Sequence, residues 1–210
     1  MNSNLFQPLG IRTYTWDHDS AGNVHGLAGL HIYAKDLAKI GQLILQKGMW
    51  NGKTLISPTW FKTSFTPNSL KPNSGLLWWL IPQSTTYVID NQQIEKLRAT
   101  GHNEEFIKKV IQLKGSYPTE QEYDKKTEEA FGKDFQAIFD KELKEGTELS
   151  RKVYGPIHGY KALGYLGQYL IIYPEKNLVG VRMISAESHG QESDANDFHD
   201  FETILYSIVS

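Results

Sequence analysis

The chain has 210 residues, 40% of them hydrophobic and 22% charged, with a net charge of −2 and no cysteine. This is the composition of a folded domain, or a domain and a half, long enough to bury a core. The charge balance argues against general nucleic-acid binding, and the absence of cysteine excludes disulfides, thiolate metal sites and a cysteine nucleophile. No apolar run approaches the length that spans a bilayer. Met1–Asn4 leads into Leu5-Phe6-Gln7-Pro8 without the basic start and apolar core of a signal peptide, and the sequence assigns no compartment.

Residues 5–34 read as loop and turn, with Pro8-Leu9-Gly10 as a turn and the polar stretch from Trp16 to Asn23 as a loop. The glycines of His25-Gly26-Leu27-Ala28-Gly29-Leu30 permit tight reversal, but no Lys-Ser/Thr follows to make a phosphate loop. Residues 35–47 give the clearest helix, with Leu37, Ile40, Gly41 and Ile44 on one face and Gly48 as its C′ stop. Ser57-Pro58 reads as the N-cap and first position of a short helix reaching about Ser64. Gly75-Leu76-Leu77-Trp78-Trp79-Leu80-Ile81 reads as a strand closed by Pro82.

Residues 90–152 differ in character, holding more than half of the charged residues. Gln92–Lys114 and Thr119–Lys144 each read as a helix, the second opened by the capping-box pattern Thr119-Glu120-Gln121-Glu122. Their mixed charges are most simply solvated faces. The block reads as a helical insertion at 90–152 between two strands of one sheet, leaving 1–89 and 153–210 as the main body.

Ala162–Met183 reads as a β-hairpin and organises the chain. Its arms are 163–173 and 178–183, and its turn is Pro174-Glu175-Lys176-Asn177. The near-continuous apolar character of Leu170-Ile171-Ile172 and Leu178-Val179 predicts burial on both faces, with helices covering the sheet. Gly164 and Gly167 inside the first arm predict a bulge or a close approach to the backbone. A polar loop from Ser185 to Asn196 precedes a final helix, Asp197–Val209, striped by Phe198, Phe201, Leu205 and Ile208.

Several segments occur in a telling order: Pro8-Leu9-Gly10, Trp16-Asp17, Gly22, Gly29-Leu30, Lys35-Asp36-Leu37-Ala38-Lys39-Ile40-Gly41-Gln42-Leu43, Trp50-Asn51-Gly52-Lys53, Ser57-Pro58-Thr59-Trp60, Gly75-Leu76-Leu77-Trp78-Trp79 and Gly164-Tyr165-Leu166-Gly167-Gln168. Together they resemble the C-terminal half of the penicillin-recognising serine hydrolases, which include class C β-lactamases, D-alanyl-D-alanine carboxypeptidases and related esterases. The resemblance covers about 5–82 and 160–209. It implies an α+β fold, an antiparallel sheet packed by helices, here an incomplete β-lactamase-like fold with a helical insertion. It implies acyl transfer through a serine ester, using a Ser-x-x-Lys helix, a Tyr-x-Asn loop and a third motif on a strand edge. That third motif would fall on Tyr165-Leu166-Gly167, making Tyr165, Leu166, Gly167 and Gln168 the substrate-binding residues. An ester, amide or peptide would lie along the strand. No cofactor is implied. The family is often periplasmic or secreted.

Departures are plain. Tyrosine at the first position of the third motif replaces the usual cationic or imidazole group. Tyr33 stands where the family often has a threonine cap, at a cost of about 1 kcal/mol. No Ser-x-x-Lys and no Tyr-x-Asn occurs in the 210 residues. Thr59-Trp60-Phe61-Lys62 is the nearest spacing match and lies in a structural helix, so no catalytic residue is assigned. Asp17 and His18 line the cleft by analogy, or satisfy a turn. His189, Glu192, Asp194 and His199 are close in sequence but fit no metal-ligand spacing, so no metal is assigned.

Three readings follow. The chain is the C-terminal portion of a serine hydrolase, or a non-catalytic binding module derived from that fold, or an unrelated α+β domain whose insert binds a protein. A sheet lacking strands leaves an unpaired edge, which predicts self-association or cover by the insert.

Overall fold

The computed structural model of the chain describes residues 1–26, 28–143, 147–184 and 200–208. It is an α+β protein built of helices and antiparallel sheets. Its strands are β1 (Tyr14–Trp16), β2 (Leu30–Ile32), β3 (Met49–Trp50), β4 (Lys53–Thr54), β5 (Trp79–Pro82), β6 (Thr85–Ile89), β7 (Gly115–Tyr117), β8 (Arg151–Tyr154), β9 (Ile157–Gly164), β10 (Gln168–Tyr173) and β11 (Leu178–Arg182). Its α-helices are α1 (Ala34–Leu45), α2 (Pro58–Ser64), α3 (Asn91–Ala99), α4 (Glu104–Gln112), α5 (Glu120–Phe131), α6 (Phe135–Glu142) and α7 (Phe201–Ser207). Two compact units divide the chain: Met1–Ile81 with His158–Ser210, and Pro82–Ile157. Among the described residues no helix is long and apolar enough to cross a membrane.

The first unit is built on a four-stranded sheet in the order β11-β10-β9-β5. Alternation along β10 sends Leu170 and Ile172 to one face, where Ile44 of α1 packs with them. Tyr169, Ile171 and Tyr173 go to the other face, against Leu205 of α7. The double-sided burial expected from the apolar run is therefore observed. Helix α1 begins at Tyr33, whose side chain makes no capping bond, as the missing threonine predicts. It closes with Gly48 N–H bonded to Leu43 C=O and Lys47 N–H to Ile44 C=O, a Schellman arrangement. The left-handed C′ position belongs to Lys47 (φ 52°), and the glycine expected there stands one residue later. Helix α2 starts as predicted, Ser57 Oγ accepting the Trp60 N–H at 3.2 Å.

Several expectations are corrected. The first arm of the hairpin is not one strand. A single 3-10 turn over Tyr165–Gly167 separates β9 from β10, and both pair antiparallel, with Gln168 opposite Gly164. Within 75–81 only the part from Trp79 is strand, because Gly75 and Leu76 pack back on α2 and Leu77 takes φ +61°. The supposed loop at 5–34 contains the β1–β2 ribbon, with Thr15 opposite His31. The final helix is described from Phe201 to Ser207, and its expected start at Asp197 lies outside the described residues.

In the second unit β6 is central to a three-stranded sheet, β7-β6-β8. The expected helix 92–114 is two helices, broken at Gly101 (φ +78°) and restarted by Asn103, whose side chain accepts the Phe106 N–H. The expected helix 119–144 is likewise broken at Gly132 (φ +92°). Thr119 does cap α5, its hydroxyl accepting the Glu122 N–H. Ile89, Leu97, Ile107 and Val110 are almost fully buried at the centre of this unit's own core, with Phe106, Phe131 and Phe139 around them. The unit's ends are tied together: Gln83 N–H bonds to Pro156 C=O and Gly155 N–H to Ser84 C=O.

Candidate functional site

The four residues singled out by the family pattern lie at the β9–β10 connection, not on a strand edge. Tyr165 is 79% exposed at the tip of the turn. Gly167 needs its positive φ of 74°, and its carbonyl accepts a hydrogen bond from Arg182 Nη1 at 2.5 Å. Gln168 is engaged at both ends of its amide: Nε2–H donates to the Ile184 carbonyl, and Oε1 accepts the Ile184 N–H. A Cβ on Gly164 would come within 3.0 Å of the Gln168 Cβ. Both glycines are thus explained by the tightness of the turn and the closeness of β10. Leu166 occupies the middle of the turn. Gly167 is buried and Gln168 half-buried, whereas Tyr165 presents open surface.

The first unit also holds a cleft of about 960 Å³ beside the β1–β2 ribbon. Its floor includes Phe6, Tyr14 and Trp16, with the Phe6 and Tyr14 rings 4.5 Å apart edge to face. Gln7, Arg12 and His18 also line it. Among the described residues Arg12 has no ion-pair partner. The loop from Asp17 to Gly29 is built by side chains bonding its backbone. Trp16 Nε1–H donates to the carbonyls of His25 and Ala28, each at 2.9 Å. Asp19 accepts the N–H groups of Ala21 and Asn23, and the Asn23 bonds, backbone first, hold its carboxyl below the usual carboxylate range. His18 and Val24 form a bridge across this loop.

Asp17 is one member of a pair that the sequence does not reveal. Its Oδ1 lies 3.2 Å from His31 Nε2, across the ribbon. Gly29 (φ +76°) is required beside it, since a Cβ there would fall 2.7 Å from the Asp17 Cβ. A carboxylate fixing one imidazole nitrogen leaves the other to accept or donate a proton, so the pair can orient a ligand or move a proton. Thr15 stands opposite His31 in the ladder, where cross-strand side chains are neighbours. The signal that could have exposed His31 is the alternation Tyr14-Thr15-Trp16 and Leu30-His31-Ile32, two three-residue runs flanking a glycine-containing loop. Arg12 carries no sequence signal at all.

Among the described residues no three His, Asp or Glu side chains converge as a metal site. His189, Glu192, Asp194 and His199 lie outside the described residues. Thr59 and Lys62, the nearest Ser-x-x-Lys match, both lie exposed on α2. The second unit has its own smaller hollow of about 190 Å³, lined in part by Phe106 and Phe131, where Asn103 Nδ2–H donates to Glu142.

A scan of protein-family models finds none that matches this chain. A search of curated proteins likewise finds no match.

Proposed function

We propose that the chain is the C-terminal portion of a β-lactamase-like serine hydrolase, which cleaves a small ester, amide or peptide through an acyl-serine. The support is the collinear order of the family-like segments. The structural observation that carries the reading is that 34–45 and 157–182, distant in sequence, meet as a helix on an antiparallel sheet whose β9–β10 turn offers Tyr165. In this reading the serine, lysine and second tyrosine belong to Ser-x-x-Lys and Tyr-x-Asn motifs outside these 210 residues, and the chain alone is inactive. The test is acyl trapping with a β-lactam and with an activated ester, read by mass spectrometry. The 210-residue chain should stay unmodified. A polypeptide extended by the upstream coding sequence should gain one acyl group on the serine of Ser-x-x-Lys. An acylated serine in the 210-residue chain, or an extended polypeptide that never acylates, contradicts the reading.

The runner-up is a non-catalytic binding module. The cleft favours it, because Arg12, which has no ion-pair partner among the described residues, lies beside aromatic side chains and suits an apolar or aromatic molecule bearing an anionic group. Aromatic carboxylates should then quench the fluorescence of Trp16, and Arg12→Ala should abolish the effect. Hydrolytic turnover by the chain alone would exclude this module.

A further inference from the structure

We infer that the strained Leu76–Leu77 turn, set in a lysine-bearing stretch of the first unit that holds no acidic residue, is a contact site for an anionic phospholipid surface. This is independent of the hydrolase reading. Between Asp36 and Asp90 the sequence carries five lysines, Lys39, Lys47, Lys53, Lys62 and Lys71, and no aspartate or glutamate. In a chain of net charge −2, one long stretch is therefore purely basic. Lys39 is paired with Asp36. Among the described residues the other four lysines make no ion pair, and all four are exposed.

Within this stretch the chain reverses at Gly75–Trp78. Gly75 N–H donates to Trp78 C=O at 2.8 Å, and Ser74 and Trp79 form an antiparallel bridge behind it. Leu76 and Leu77 are the two residues at the tip. Leu77 holds a left-handed φ of 61°, which glycine or asparagine adopts with less strain in such turns. It is also 91% exposed. The turn thus carries backbone strain and an apolar side chain in water together. Strain of this kind persists only where the surroundings fix it, and here they do. Leu76 N–H donates to Ser64 C=O at the end of α2, and a Cβ on Gly75 would strike the same carbonyl.

Both segments joined to the tip add to the same chemistry. The loop at 66–74 is tied to it by Asn68 N–H bonding to Ser74 C=O and Ser74 N–H to Lys71 C=O. That loop carries Leu70, 94% exposed, beside Lys71. Helix α2, the other anchor, carries exposed Trp60 and Lys62. A lone exposed leucine needs no explanation, but three of them around one strained turn flanked by lysines do.

A bilayer surface matches these groups. Leucines enter the boundary between headgroups and acyl chains, tryptophan settles at headgroup level, and lysines meet anionic headgroups. A protein partner fits less well. A stable protein interface takes about 800 Å² from each side, and a projecting two-residue tip offers little of that area.

Co-sedimentation of the 210-residue chain with lipid vesicles tests this. The chain should bind vesicles of mixed phosphatidylglycerol and phosphatidylcholine, release them as salt rises, and leave pure phosphatidylcholine vesicles unbound. Leu77→Gly removes the side chain and relaxes the turn, so it should lose vesicle binding while its thermal midpoint stays or rises. Leu70→Ser, at an exposed loop position, should weaken binding without changing the circular dichroism spectrum. Lys62→Gln and Lys71→Gln should each weaken binding at low salt by about fivefold. Brominated acyl chains should quench tryptophan fluorescence of the wild-type chain, a readout that needs no variant. Absence of wild-type binding overturns the inference. So does equal binding to neutral vesicles, or a Leu77→Gly variant that binds as wild type does. Binding to soluble polyglutamate but not to vesicles would indicate an acidic protein partner instead and would overturn it too.

Discussion

His158 lies on β9 with its ring 5.2 Å from those of Tyr173 and Tyr206. Burial pushes its pKa below the ordinary value, against an upward pull from Glu175 and Glu202. A histidine kept neutral by the fold binds protons more readily once unfolded. Its contribution is therefore complete above the unfolded value of about 6.5 and is lost as pH falls from there toward the lower folded value. The urea midpoint of the first unit should drop between neutral and mildly acidic pH, and His158→Phe should flatten that part of the profile. An unchanged profile in the variant would show that His158 is not responsible. Gly41 gives a sharper test because two effects oppose. Gly41→Ala gains about 1 kcal/mol of helix propensity. The added methyl meets Val179 at 2.5 Å and Leu170 at 3.0 Å, and forced overpacking costs about 1–3 kcal/mol. Net destabilisation is expected in chemical denaturation, and a more stable variant would mean that α1 does not approach β11 so closely. Gly41 is visible in the sequence as part of a helical stripe, but its reason for being glycine lies in a strand 138 positions further on (179 − 41).

Helix starts were readable because their chemistry is local: Ser57-Pro58 and Thr119 each bring their own oxygen to an unsatisfied N–H. Thr119→Ala should lower the stability of the second unit by about 1 kcal/mol, with Thr119→Ser recovering most of it. Equal stability of all three proteins would remove the cap from the account. The β10–β11 hairpin was readable from its apolar arms and its Pro174–Asn177 turn, where Asn177 takes the left-handed conformation. Breaks were harder. Gly101 and Gly132 each stop a helix inside a run whose charge pattern suits helix on both sides, and one glycine at a cost of about 1 kcal/mol does not decide that locally. Strand β8 was missed because Arg151-Lys152-Val153-Tyr154 is polar and largely exposed, taking its strand form from pairing with β6. The site suffered most. The strand expected over 165–168 is a turn at Tyr165–Gly167 with Gln168 opening β10, and the Asp17–His31 pair joins the residue just after β1 to a strand of three residues.

The chain folds as two compact units. Pro82–Ile157 carries its own buried cluster, and its two ends are hydrogen-bonded to each other. Residues 82–157 expressed alone should therefore unfold cooperatively and keep near-native helical content. A non-cooperative, molten fragment would show that the unit depends on the rest of the chain. The first unit holds every segment quoted for the hydrolase resemblance, and the second holds none. The central claim is that this first unit is the C-terminal share of an acyl-transfer enzyme. Sequencing the DNA upstream of the Met1 codon tests it most directly. The account predicts an open frame encoding Ser-x-x-Lys and, after it, Tyr-x-Asn. A stop codon immediately upstream, or an unrelated gene, would contradict it and leave binding as the activity to measure.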